Sequence, residues 1–253
     1  MSQAESHPTW KSLYRVGGAV ALLAVGLEIA NALIAVISSS TSGPAPSTVI
    51  GWFTLLQNNR LLGLLDLGLL DIAAVALLVP MFLAVSLALR RTSASFMAIA
   101  TTLAFVGIGV YLATETAFSL LSLSSQYAAA TTDAQRTLFE AAGQAMLVEQ
   151  VGVGAGAYMA FFLLGVAGLI ISAVMLRSAL FSKVTASVGI LANGIIVAYY
   201  IGLACVSIPL TIGLFLYSAS GLLSLIWYIL IGRRLLMLAQ SASKEEAKQP
   251  IVA

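Results

Sequence analysis

Histidine and cysteine are nearly absent: His7 and Cys205 are the only ones in 253 residues. A single cysteine cannot close an intramolecular disulfide, so the fold is not stapled that way and the redox compartment stays unreadable. A single histidine, placed ahead of the first apolar run, excludes bis-histidine haem ligation within a bundle. It also excludes a Ser–His catalytic pair and an H-E-x-x-H zinc motif. No lysine interrupts the long apolar stretches, so a retinal-type Schiff base has no candidate. There is no P-loop. Charge is scarce as well: charged residues make up 9% of the chain, against roughly 25% in soluble domains. The formal net charge of +2 is too small to argue for nucleic acid.

What fills the space is apolar. Hydrophobic residues make up 60% of the chain, and its mean hydropathy is +1.02. No soluble core of this size could hide that much apolar surface, so the class is integral membrane protein. A crossing helix needs about 20 apolar residues. Six stretches qualify, at 16–37, 64–89, 95–123, 145–176, 184–204 and 211–236. The expected fold is all-α: a polytopic bundle of six transmembrane helices at 16–238, preceded by an N-terminal segment 1–15 and followed by a disordered tail 239–253. Helix 1 is expected to be retained, because its apolar run exceeds a signal-peptide core and no clean A-x-A site ends it. "VIGWFTLLQ", 49–57, is too short to cross. It is expected in the outer interface or as a re-entrant segment, with Trp52 as an anchor.

The positive charges orient the bundle. Lys11, Arg15, Arg90, Arg91, Arg177, Lys183, Arg233, Arg234, Lys244 and Lys248 fall on one side of a six-helix arrangement, and only Arg60 and Arg136 on the other. That bias makes the first side cytoplasmic and puts both termini inside. Trp10, Tyr14, Trp227 and Tyr228 then lie toward the inner interface, as an aromatic belt would. Ser93 is placed to cap helix 3, and Thr132 or Asp133 to cap an outer helix leading into helix 4.

Acids inside the apolar runs carry the functional question. Glu28, Asp66, Asp71, Glu115 and Glu149 lie inside or at the edge of spans, where a mid-bilayer charge costs about 2.5–3.5 kcal/mol. At 1.5 Å rise per residue, Glu28 sits about 18 Å, Asp71 about 27 Å and Glu115 about 31 Å above the inner face. All belong to the outer half, level with Arg60 and Arg136. Glu28 shares a stripe with Gly17, Ala21, Ala24, Ala32 and Ala35, and Glu149 shares one with Ala142, Ala145, Gly152, Gly156 and Ala160. Small-residue stripes mark close helix contact, so both acids are expected to face protein. Asn31 can share the hydrogen bonds of Glu28. Asn193, with Tyr199 and Tyr200, could add polar lining or make one interhelical hydrogen bond. Asp66 lies on a different face from Asp71 and is placed to cap a helix or pair with Arg60.

"NRLLGLLDLGLLDIAAVALLVPMFLAVSLALRRTSASFMAIATTLAFVGIGVYLATETAFSLLSLSSQYAAATTDAQR", with "FSKVTASVGILANGIIVAYY" and "GLLSLIWYILIGRRL", resembles a bacterial family of six-helix membrane proteins catalogued only as a domain of unknown function. The resemblance covers about Arg15 to Leu238. It implies a multi-pass protein of the bacterial plasma (inner) membrane and brings no catalytic residues.

Three functions compete. One is a small transporter-like bundle with an outward-facing acidic vestibule at Glu28, Asn31, Asp71, Glu115, Glu149 and Asn193, taking a small cationic solute or a proton. The second is a non-enzymatic membrane partner, sensor or subunit, as a homo- or hetero-oligomer, whose acids are structural. The third is an intramembrane enzyme using carboxylates alone, which is disfavoured because carboxylates without histidine would have to hold any metal unaided. No cofactor, metal or nucleic acid is expected, and the lipid bilayer is the certain partner.

Overall fold

The computed structural model describes residues 10–41, 43–151, 154–206 and 208–246. The chain is all-α. Its helices are α1 (Lys11–Thr41), α2 (Val49–Asn58), α3 (Arg60–Asp66), α4 (Leu69–Leu89) and α5 (Ala94–Thr114), then α6 (Ala117–Ala129), α7 (Asp133–Val151), α8 (Ala155–Leu176), α9 (Lys183–Cys205) and α10 (Leu210–Glu246). Six segments are long and apolar enough to cross a membrane: Lys11–Ser40, Leu69–Leu89, Ala94–Ala129, Ala155–Leu176, Lys183–Cys205 and Leu210–Ser241. The protein is therefore a membrane-embedded helical bundle.

The helices sort into two compact units. One, drawn from Met1–Val25, Leu77–Ile108 and Phe161–Ala253, holds most of the arginines and is termed the basic unit. Glycine sets its packing, because without a hydrophobic driving force in lipid, helices associate by close backbone approach. A Cβ on Gly17 of α1 would collide with Ala84 of α4, and one on Gly18 would stand 2.8 Å from the Gly232 carbonyl of α10. On α9, a Cβ on Gly189 would collide with Ser172 of α8 and with the Trp227 ring of α10. Polar groups are tied locally. Asn193 Nδ2 donates to the Gly189 carbonyl at 2.8 Å, and Ser220 Oγ donates to the Ala192 carbonyl at 2.9 Å, joining α10 to α9. Ser182 caps α9 by accepting from Thr185 N at 3.1 Å. Arg234 Nε donates to the Leu180 carbonyl.

Trp227 departs from the expected aromatic belt. It is 1% exposed, stacks against Tyr228 and fills the space that Gly189 leaves. Its flat ring needs that glycine, so it is a packing residue. Trp10 is half-buried and carries the Arg90 guanidinium over its ring at 5.5 Å.

The other unit comprises Gly26–Ala76 and Gly109–Ala160, with most of the acids, and is termed the acidic unit. Its core is built on α2, where Val49, Trp52, Phe53 and Leu56 pack with Leu67, Ala117, Leu120 and Leu147. This corrects the expected role of Trp52: it is 4% exposed and packs in the protein core instead of anchoring lipid headgroups. The apolar face of α2 is covered by α6 and α7, with Gly143 of α7 making room for Val49 and Phe53. Thr48 caps α2 and Asn59 caps α3, each accepting from a backbone N–H three residues on, at 3.2 and 3.0 Å. Thr132 caps α7 by accepting from Gln135 N at 3.2 Å, while Gln135 Oε1 accepts from Thr132 N at 3.4 Å. That reciprocal pair is a capping box.

Three expected helices are interrupted. The stretch 64–89 breaks at Leu67–Gly68, where Gly68 has φ +89, a left-handed turn that costs glycine nothing. The stretch 95–123 breaks at Glu115–Thr116 between α5 and α6. The stretch 145–176 breaks between Val151 and Ala155, and Gly152, with the Gly152–Gly156 pairing, lies outside the described residues. At the other end, α10 continues as helix to Glu246, past the expected start of the tail at 239. Residues 247–253, His7 and Ser207 lie outside the described residues.

Candidate functional site

The acidic unit brings together three of the acids. Glu28 of α1 is half-buried, and its carboxyl is hydrogen-bonded to that of Asp71, in the first turn of α4. The Tyr111 hydroxyl, near the end of α5, donates to Asp71 Oδ2. The same hydroxyl is hydrogen-bonded to Glu115, at the α5–α6 break. Tyr111 is 6% exposed, and Glu115 Oε2 is sealed from solvent. The result is a chain in which Glu28, Asp71, Tyr111 and Glu115 follow one another.

Counting protons sets a minimum for this chain. It contains three hydrogen bonds, and each needs its own proton. A tyrosine hydroxyl supplies one proton, and an ionised carboxylate supplies none. The other two must therefore come from the carboxyls. The chain as bonded therefore calls for at least two carboxyl protons. Three carboxylates at hydrogen-bond spacing in a low-dielectric setting would repel strongly. Sharing protons relieves that repulsion without any cation.

Local structure positions each member. Gly68 turns the chain just before α4, so Asp71 enters on the first helical turn rather than mid-helix. Tyr111 stands in the last turn of α5, and Glu115 follows directly after the helix end. The α5–α6 break then ends the helix at Thr114, whose Oγ1 donates back to the Val110 carbonyl at 2.8 Å. Gly156 lies against the Thr114 side chain. Among the described residues no group of His, Cys, Asp or Glu is arranged to hold a metal ion.

Other expected members lie elsewhere. Asn31 is half-buried one turn along α1 from Glu28, but the groups on Glu28 and Tyr111 are Asp71 and Glu115. Glu149 is exposed, and its carboxylate folds against Gly154, next to the start of α8. Its small-residue stripe assumed one continuous helix, and the break after Val151 removes that register. The Glu28 stripe holds only over its first half: Gly17, Ala21 and Ala24 are buried, while Ala32 and Ala35 are exposed. Asn193 belongs to the basic unit, and its Nδ2 bonds within its own helix, so that bond links no second helix. Asp66 accepts from Ser38 Oγ at 2.9 Å, which ties α3 to α1, while the Arg60 side chain is exposed. Arg136 Nη2 donates to the Ala130 carbonyl at 3.4 Å.

Tyr111 is the member that reading the sequence missed. Inside an apolar run it passes for a span residue. The one signal was its spacing, one helical turn before Glu115. Comparison with known proteins adds no assignment: no family model, no curated protein and no solved structure matches the chain.

Proposed function

We propose that the chain is a small transporter-like bundle of the bacterial plasma membrane, with both termini cytoplasmic. In this reading the Glu28–Asp71–Tyr111–Glu115 cluster is a proton-binding centre reached from outside. A small cationic solute could compete for it by displacing a proton. The observation that carries the reading is the hydrogen-bonded chain itself, in which carboxyls bonded to one another and to the Tyr111 hydroxyl make a site that can take up or release a proton by rearranging bonds. The helix breaks at Gly68 and at Glu115–Thr116 support it, because interrupted helices at membrane depth accompany ion sites in transporters. The resemblance to the six-helix family is compatible with this reading and adds no chemistry.

A second reading keeps the acids structural, in a non-enzymatic partner, sensor or subunit. The Asp66–Ser38 bond favours it, since there an acid serves only to fasten α3 to α1. Proton flux separates the two. Purified protein in liposomes, with a valinomycin-set potassium potential and an internal pH dye, should pass protons faster than protein-free liposomes. Asp71→Asn and Glu28→Gln should abolish the excess flux while melting within a few degrees of the unsubstituted protein. No excess flux, or large losses of melting temperature for both variants, would leave the structural reading standing instead.

A further inference from the structure

The basic unit contains a groove of about 210 Å³ between the start of α5 and the end of α8, lined by Thr92, Ser93, Phe96, Ile170, Val174 and Arg177 among others. It is remote in sequence from the carboxyl cluster and independent of any role proposed for it. Its two ends differ in chemistry. At one end stand the Arg177 guanidinium, two hydroxyl side chains and the opening turn of α5. The first N–H groups of a helix have no partner within it. In α5 the first intrahelical bond of that turn is Met97 N to the Ser93 carbonyl. The remaining wall is Phe96, which is 51% exposed, and the aliphatic side chains of α8.

We infer that this groove binds an anionic phospholipid, with its phosphate on Arg177, Ser93 and the α5 N-terminus, and the upper part of one acyl chain along Phe96, Ile170 and Val174. Charge complementarity and the apolar wall together select this occupant. A free phosphate could use Arg177 and the helix end, but it has no use for the apolar side, which forms most of the lining. A zwitterionic lipid offers the same chain but carries a cationic group toward Arg177. In a membrane protein, clustered basic residues at a helix end are where anionic headgroups accumulate.

The test uses the full chain in detergent, with thermal unfolding followed as dioleoyl phosphatidylglycerol, dioleoyl phosphatidylcholine or inorganic phosphate is added. Phosphatidylglycerol should raise the melting temperature saturably; phosphatidylcholine and phosphate should not at equal concentration. Arg177→Ala should weaken the apparent phosphatidylglycerol affinity by on the order of five- to tenfold, the share of one basic contact at a lipid surface. Ala173→Trp lines the same groove, is exposed, and fills the apolar part without altering charge. It should weaken the lipid response as much while sparing the baseline melting temperature. Arg91→Ala, exposed and outside the groove, should leave the response in place. Equal losses for Arg91→Ala and Arg177→Ala, or a full response in Ala173→Trp, would overturn the proposal, since either result assigns the effect to diffuse surface charge. An equal response to inorganic phosphate would overturn it in favour of a free-anion site.

Discussion

Replacing Tyr111 with phenylalanine removes one oxygen from the centre of the carboxyl chain and little else. The ring stays in place, so no cavity forms, and at 6% exposure water has poor access to fill in for the hydroxyl. Two hydrogen bonds are lost, to Asp71 and to Glu115. Bonds to charged groups contribute about 1.5–3 kcal/mol each, and stranding a buried polar partner costs about 1–3 kcal/mol. Glu28 remains to serve Asp71, which offsets part of the loss. The expected destabilisation is about 2–4 kcal/mol, or roughly 5–15 °C in melting temperature for a chain of this size. Tryptophan fluorescence during thermal unfolding in detergent would read it. The double substitution Tyr111→Phe with Asp71→Ala should lose clearly less than the sum of the singles, because both remove one bond. A Tyr111→Phe protein melting within about 1 °C of the unsubstituted chain, or strictly additive losses, would show that the hydroxyl does not bridge the acids.

Single-cysteine labelling in a Cys205→Ser background should report Ser47 and Thr131 from outside and Ser241 from inside; Thr131 is the better probe than its neighbour because Ala130 is 7% exposed. Reaction of Ser47 and Ser241 positions from the same face would end the both-termini-inside topology. Gly189→Ala should destabilise by about 1–3 kcal/mol through overpacking against Ser172 and Trp227, whereas Ser172→Ala should be neutral or slightly stabilising, since the Ser172 hydroxyl is buried without a hydrogen-bond partner; a reversed order of melting temperatures would contradict this packing. Thr132→Ala should lower the melting temperature by the equivalent of about 1 kcal/mol, the usual loss for an N-cap, and an unchanged value would mean that α7 does not depend on its capping box.

Composition and hydropathy reveal the six spans because each is a run of apolar residues that no soluble fold could accommodate, and that signal is additive along the chain. Glu28, Asp71 and Glu115 could be marked the same way, as costly groups at similar depth. Contact in the plane of the membrane is another matter. It depends on helix rotation, and each break resets the rotation of the next helix. Glu149 shows this directly: its stripe reads correctly on an unbroken helix and incorrectly once α7 ends at Val151. Trp52 and Trp227 fail for a related reason. A tryptophan near a span end reads as a belt residue, and only the glycine opposite, Gly189 in one case, reveals that the ring is buried.

The three interruptions all fall in the acidic unit, and two of them adjoin its carboxyl chain. In lipid, a freed backbone N–H or carbonyl carries a penalty of several kcal/mol unless something satisfies it. Irregular backbone at such depth therefore persists only where protein or a polar cavity surrounds it. The breaks beside Asp71 and Glu115 meet that condition through the groups they position: Gly68 lets Asp71 enter at a helix start, where the macrodipole favours its negative charge, and the stop at Thr114 frees Glu115 from the helix that holds Tyr111. Sequence and geometry thus lean on each other. Acids are tolerable in these apolar stretches because they bond to one another and to a tyrosine, and the broken helices bring Asp71 and Glu115 to that tyrosine. Restoring either helix, for example by Gly68→Ala, would strain the left-handed turn and move Asp71 out of register. The expected result is loss of the Asp71–Tyr111 bond, together with a fall in melting temperature close to that of Tyr111→Phe. In the double substitution the two effects should overlap and not add. Full additivity would mean that the break and the cluster are separate features of the fold.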